Sequence, residues 1–275
     1  EVRKFPTARA GNGDLFVTEV DESDGTHTLV SPWCGVVPNV DDDHSWSVGG
    51  ENQLLANFRA FGEHSQHLLY VSSPRADAVY RSLAHAEAAD LNAVMPPTLA
   101  GFQRLNGALA ALAARRAGIR DEDILESLAS FPGVERRLTL RYETTGYRII
   151  DDYAHHPAEV AQSLATFREL YPDWHLQVVF QPHRFARLEK YFTRLANELA
   201  KADSVVITPE FAAWSDTGKV NGRDLARAIG DKAVYCDGDW PEVAEFLRQR
   251  PHPLPLVTAV VGAGDLNRLF DCLPW

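Results

Sequence analysis

Residues 151–160 read Asp-Asp-Tyr-Ala-His-His-Pro-Ala-Glu-Val, DDYAHHPAEV. The stretch follows the apolar run GYRII at residues 146–150 and leads into EVAQSLATFREL at 159–170, whose apolar spacing is helical. It is therefore a strand-to-helix turn, with Pro157 suited to a first helical turn where a missing N–H costs nothing. In an open α/β sheet, ligands gather beyond the carboxyl ends of strands, so Asp151, Asp152, His155 and His156 form a candidate site. The plainer alternative is a solvated turn whose carboxylates cap the helix. Other polar loops at equivalent strand ends favour the site.

Those loops lie mostly downstream. The pattern predicts strands at Leu138–Glu143, Arg148–Asp151, Leu176–Phe180, Ser204–Thr208, Ala233–Cys236 and Leu256–Val261. Helices are predicted between them at Ala158–Leu170, Arg187–Ala202, Gly222–Ile229 and Pro241–Gln249. Strand and helix in alternation imply a largely parallel, doubly wound sheet. Gln181, Pro182, His183 and Arg184 follow one strand, Glu210 the next, and Gly262–Ala263–Gly264–Asp265 the last. The GAGD is a weak dinucleotide fingerprint, because it follows the final strand and lacks a third glycine; it supports a tight turn.

Upstream, Leu15–Val20 is expected to be a strand ending among Glu19, Asp21, Glu22 and Asp24. Gly35–Val40 is expected to be another, ending among Asn39, Asp41, Asp42, Asp43 and His44. Acids crowded at two strand ends repel one another unless a hard cation such as Mg²⁺ compensates. Helices are predicted at Asn52–His64, Pro74–Ala88, Thr98–Gly118 and Asp121–Phe131, and a strand at Leu68–Ser73. The polar segment PGVERR at 132–137 marks a domain boundary, dividing the chain into residues 1–132 and 133–275. Arg136 and Arg137 there suit an oxyanion, or equally a strand edge.

The chain has 275 residues, 45% hydrophobic and 24% charged, enough for two cores. A formal net charge of −11 argues against general nucleic-acid binding, which needs a basic face. Cys34, Cys236 and Cys272 are scattered and odd in number, which suggests neither a zinc site nor a disulfide framework. No run of eighteen apolar residues is present and the start lacks a signal-peptide core, so a cytoplasmic protein without membrane partners is expected. The chain begins with Glu1, in what looks like the middle of a domain, and is expected to be a fragment.

Taken together, EVDESD (19–24), PNVDDDH (38–44), GVERRL (133–138), DDYAHHPAEV, FQPHRFAR (180–187) and GAGD (262–265) resemble the Mur ligases. The resemblance covers almost the whole chain. It implies an α/β fold: a partial central ATPase-type domain in residues 1–132, then a Rossmann-like, doubly wound C-terminal domain in 133–275. It further implies an ATP- and Mg²⁺-dependent amide-bond ligase of peptidoglycan synthesis, with UDP-N-acetylmuramate and L-alanine as substrates and an acyl phosphate between them. Such chemistry needs phosphate charge neutralised and water excluded.

Carried over by the resemblance, Glu19 and His44 match the magnesium-site pair, and Arg137 the interdomain arginine near the nucleotide phosphates. Asp152 matches an aspartate on the ATP side, with His155 beside it. His183 and Arg184 match a pair near the incoming amino acid. The family's Asn-x-x-Asn element appears as Gln103 and Asn106, with Asn106 the better match. No Gly-x-x-x-x-Gly-Lys-Ser/Thr loop occurs in the sequence. That loop and the UDP-binding domain would lie upstream of Glu1, and the chain alone is expected to be inactive. Two other readings stay open: a non-catalytic nucleotide or wall-precursor binding module, and a metallophosphohydrolase using Asp151, Asp152, His155, His156 and His183.

Overall fold

A computed structural model of the chain describes residues 10–42, 45–92, 99–213, 217–250 and 253–273. They fall into two compact units, Glu1–Leu99 with Gln103–Phe131, and Ala100–Phe102 with Pro132–Trp275.

The first unit holds a three-stranded parallel sheet in the order β1 (Cys34–Val37), β2 (His67–Tyr70), β3 (Ala86–Ala88). Helices α1 (Glu51–His64) and α2 (Pro74–Tyr80) pack Leu54, Phe58, Phe61, Val79 and Tyr80 against Val37, Leu68 and Tyr70. Helices α3 (Gly101–Arg116) and α4 (Asp121–Ala129) pair through Ala111 and Ile124.

Two expectations fail in this unit. Residues 15–20 form no strand, and Phe16 and Val17 are 90% and 91% exposed. A β-rich run becomes a strand only where a neighbour takes its backbone hydrogen bonds, and none of the described strands pairs with it. The helix expected over Pro74–Ala88 stops at Tyr80, and residues 86–88 join the sheet beside Leu68–Tyr70. Pairing with β2 overrides the helix propensity of Ala-Glu-Ala there.

The second unit is a six-stranded sheet in the order β4–β5–β9–β6–β7–β8. The strands are β4 (Thr139–Glu143), β5 (Tyr147–Asp152), β6 (His175–Phe180), β7 (Ser204–Ile207), β8 (Ala233–Tyr235) and β9 (Leu256–Val261). Only β4 among them runs antiparallel, at one edge. The helices are α5 (Pro157–Leu170), α6 (Phe185–Leu199), α7 (Gly222–Ile229) and α8 (Trp240–Gln249). Every residue of β7 and β9 is buried, as expected for strands covered on both faces.

Strand order and handedness divide the helices between the faces. The chain steps one way across the sheet from β5 through β6 and β7 to β8, and right-handed crossovers put α5, α6 and α7 on a single face. There Val160, Phe167, Leu188, Leu195 and Leu225 cover Val178, Phe180, Ile207 and Val261. The return from β8 to β9 reverses direction, so α8 lies on the other face, with Val243 and Leu247 over Val179, Val206 and Val260. Between β9 and its neighbours β5 and β6 is therefore the topological switch point, where turns leave to opposite faces and a crevice opens. Asp152, Val261, Phe180, Ile207 and Tyr235 are in register along that carboxyl edge.

Candidate functional site

The two aspartates that end β5 point to opposite faces, as successive strand residues must. Asp151 is buried and accepts a hydrogen bond from Arg141 at 2.7 Å, with Arg136 3.6 Å away. Asp152 is wholly buried and accepts from three donors: Leu138 N–H at 3.0 Å, Ala154 N–H at 2.9 Å and the Ser163 hydroxyl at 3.0 Å. Burial pushes its carboxyl above the usual aspartate range, against the pull of those donors and of Arg137. Neither carboxylate caps α5. That task falls to His156, whose Nδ1 accepts from Ala158 N–H, and to Glu159, which accepts from the amides of His155 and His156 at 3.0 and 3.2 Å. His156 is buried with its ring edge-on to Tyr191.

The five-residue metal set of the hydrolase reading does not converge. Asp151 is tied to arginines, Asp152 to N–H and O–H donors, and His156 is turned into the core. Among the described residues no group of three or more His, Cys, Asp or Glu is arranged to hold a metal ion.

What the turn presents outward is Tyr153 and His155. Arg136 and Arg137 lie over the Tyr153 ring at 4.8 and 5.5 Å. Of this pair, Arg136 is a staple: its guanidinium donates to the carbonyls of Gly262 and Gly264 beyond β9, and its own carbonyl accepts from Tyr153 N–H at 2.7 Å. Arg137 is more open, with its guanidinium 3.6 Å from Glu159. Burial raises the Glu159 pKa, but the charge of His155, the two capping amides and Arg137 outweigh it, and the carboxyl stays below the usual glutamate range.

A contiguous row runs on from there. His155 Nδ1 is 3.1 Å from the Tyr153 carbonyl and 3.3 Å from Glu159, both acceptors, so this nitrogen carries a proton, and Nε2 is the acceptor whenever the ring is neutral. The His155 ring meets His183 edge-on, centroids 5.5 Å apart. His183 Nδ1 receives Arg187 at 3.0 Å; a guanidinium only donates, so the His183 proton sits on Nε2. Adjacent Arg184 is the N-cap residue of α6 at φ 64°, ψ 130°. The row thus presents guanidinium groups, one imidazole donor and one imidazole acceptor, a set able to hold a carboxylate and accept a proton from an amine. Gln181, at the end of β6, donates to Asp265 at 2.9 Å and anchors the turn beyond β9.

Tyr153, Arg187 and Phe211 belong to this row or its support, and sequence reading singled out none of them. Arg187 had a signal, standing one helical turn beyond His183 in HRFAR. Phe211 had none, because its contacts arise from a neighbouring turn. Beyond β7 and β8 a separate cavity of about 360 Å³ is lined by Phe185, Glu210, Asn221, Arg223, Tyr235 and Asp237. Arg223 is paired with Asp237 at 2.9 Å and stacked on Tyr235.

The remaining site residues lie in the first unit. Glu19 is exposed, Asn106 is exposed on α3, and His44 falls outside the described residues.

Residues 136–264 match the family "Mur ligase, glutamate ligase domain". Over 96% of its length the chain is 31% identical to a UDP-N-acetylmuramate–L-alanine ligase of Cyanothece sp., covering 64% of that protein. Over 95% it is 34% identical to the ligase of the same name from Nocardioides sp., covering 62%. The chain thus spans about three fifths of the length of these curated relatives. In fold it is similar to the UDP-N-acetylmuramate-alanine ligase MurC of Thermotoga maritima, with a TM-score of 0.69 at 22% identity, over 91% of this chain and 61% of that one. The Thermotoga maritima MurF ligase solved in complex with ADP gives 0.64 at 16% identity, over 89% and 62%. With sequence and fold in agreement, residues 136–264 belong to the Mur ligase family, and over more than nine tenths of its length the chain is similar to Mur ligases.

Proposed function

We propose that this chain is part of an ATP-dependent ligase of peptidoglycan precursor synthesis that joins L-alanine to UDP-N-acetylmuramate, its second unit receiving the amino acid. The observation that carries this reading is the continuous row Arg137–Glu159–His155–His183–Arg187 along the carboxyl edge of the second sheet. In it, Arg184 and Arg187 hold the amino acid's carboxylate, with His183 Nε2–H as a further donor. His155 Nε2 takes the proton that the ammonium group must lose before its nitrogen can act as a nucleophile. Relatives named for this ligation support the choice of substrates.

ATP would supply the phosphoryl group that activates the partner carboxylate. Arg137 suits a nucleotide phosphate, because its guanidinium is partly exposed and presents paired donors to an oxyanion. Asn106 is the candidate contact for the rest of the nucleotide. Asp152, enclosed by three donors, serves by fixing the turn that presents Tyr153 and His155. Glu19, an exposed hard oxygen donor, and His44 are the residues that would hold Mg²⁺. We place the chain in the cytoplasm, where these substrates are made; no helix of the described residues is long and apolar enough to cross a membrane.

Calorimetric titration with L-alanine tests the site. The chain is expected to bind it, and Arg187→Ala to weaken binding about tenfold or more, the loss of one charge-assisted contact. With ATP, Mg²⁺ and UDP-N-acetylmuramate added, the chain alone is expected to form no ADP, since its sequence lacks a phosphate loop. Extension upstream through such a loop should restore turnover. Binding without turnover in the extended chain would favour the binding-module reading, and no response to L-alanine in either form would sink the substrate assignment.

A further inference from the structure

The turn that bears His183 and Arg184 does not hold itself. At φ 64°, ψ 130°, Arg184 lies outside the regions an L-residue adopts without strain. Such a conformation persists only where neighbours over-determine it. The neighbour is Phe211, four residues past the end of β7. Its N–H donates to the Pro182 carbonyl at 2.8 Å, and its carbonyl accepts from Arg184 N–H at 2.9 Å, so one residue brackets His183 in a parallel bridge. The Phe211 ring lies 5° from parallel with the His183 ring, centroids 5.5 Å apart. From the other side Gly264 closes in: a Cβ there would come within 2.6 Å of Phe211 Cβ, 2.7 Å of its Cγ and 2.3 Å of Gln181 Oε1. The turns beyond β6, β7 and β9 thus interlock at one phenylalanine.

We propose that Phe211 is the positioning residue of this site. It acts through His183 and Arg184, holding the imidazole plane and the strained Arg184 backbone in the one arrangement that aims both at an amino acid. The proposal rests on the reading that these two residues meet the incoming amino acid, but the positioning itself is measurable without it.

The test uses the full chain with ¹⁵N-labelled histidine and backbone, followed by NMR. Three quantities are read: the His183 ring signals, hydrogen-exchange protection of the Arg184 and Phe211 amides, and the L-alanine Kd from titration shifts. Phe211→Ala is expected to move the His183 signals, to expose the Arg184 amide and to raise the Kd about 10- to 100-fold, the scale of a displaced binding group. Phe211→Tyr, which keeps the flat ring, should stay near wild type in all three. If Phe211→Ala does not fold, Phe211→Leu removes the ring while filling space. Gly264→Ala in addition displaces Phe211 without altering it, and both should move the same signals. Unchanged His183 signals and Arg184 protection in folded Phe211→Leu and Gly264→Ala would overturn the proposal. If wild type ignores L-alanine yet these variants still shift His183 and expose Arg184, the positioning role stands and the amino-acid reading falls.

Discussion

Asp152 and His27 are both buried polar residues, and the difference between them lies in their partners. Asp152 is surrounded by donors, so a carboxylate fits and a carboxamide does not. Asp152→Asn turns an NH₂ toward either Leu138 N–H or Ala154 N–H and is expected to cost about 1–3 kcal/mol in denaturant unfolding, from one donor left facing another. His27 packs against Phe58 and Phe61 at 3% exposure, and neither ring nitrogen has a hydrogen-bond partner of normal geometry among the described residues. Burial lowers its pKa, countered in part by Glu22, the Asp21 carbonyl, Asp24 and the Asp21 charge. With a folded pKa below the unfolded value of 6.5, the unfolded chain takes up the proton first. Stability is then intact above pH 6.5 and lost as pH falls from there toward the folded value. His27→Phe is expected to remove that acid-side loss; melting curves at pH 7 and pH 5 that fall in parallel for both proteins would contradict it. The sequence could name candidate residues wherever a motif carried them, as with His155, His183, Arg184 and Arg137, and all four lie at or near the carboxyl edge of the second sheet. Which of two adjacent residues faces outward was not: His155 rather than His156, and Arg137 rather than Arg136, follow from packing across the sheet.

Secondary structure in the second unit was legible nearly to the residue, because each strand is a short apolar run set between capped helices. Helix α7 spans the Gly222–Ile229 segment read from the sequence, opened by a capping box of Asn221 and Asp224. Asn221→Ala is expected to cost about 1 kcal/mol, the usual loss for an N-cap, read as a drop in denaturation midpoint with unchanged slope. The first unit was less legible. Ala86–Ala88 has the composition of a helix and lies in a sheet, and residues 15–20 have that of a strand and lie exposed. Three residues carry too little local preference to outweigh one neighbouring strand, and β-rich residues do not pair without one.

The whole chain is two compact units, and the second contains both hydrophobic faces of its sheet within its own segment. Residues Pro132–Trp275 are therefore expected to fold alone with one cooperative thermal transition, and a transition seen only in the full chain would refute that independence. The sequence by itself determined the alternation of elements, the family and most of the residues on the carboxyl edge, because each is written in local period or short motif. Tertiary structure decided the strand order β4–β5–β9–β6–β7–β8, with the last strand inserted between β5 and β6. That insertion makes the switch point and brings Gly264 to the turn beyond β6, while the pairing of β6 with β7 brings Phe211 there. Such contacts join residues far apart in the chain, 84 positions between Gln181 and Asp265 and 128 between Arg136 and Gly264, and no local pattern records them. In this order the connecting helices cover both faces of the sheet, and its apolar strands are buried on both sides.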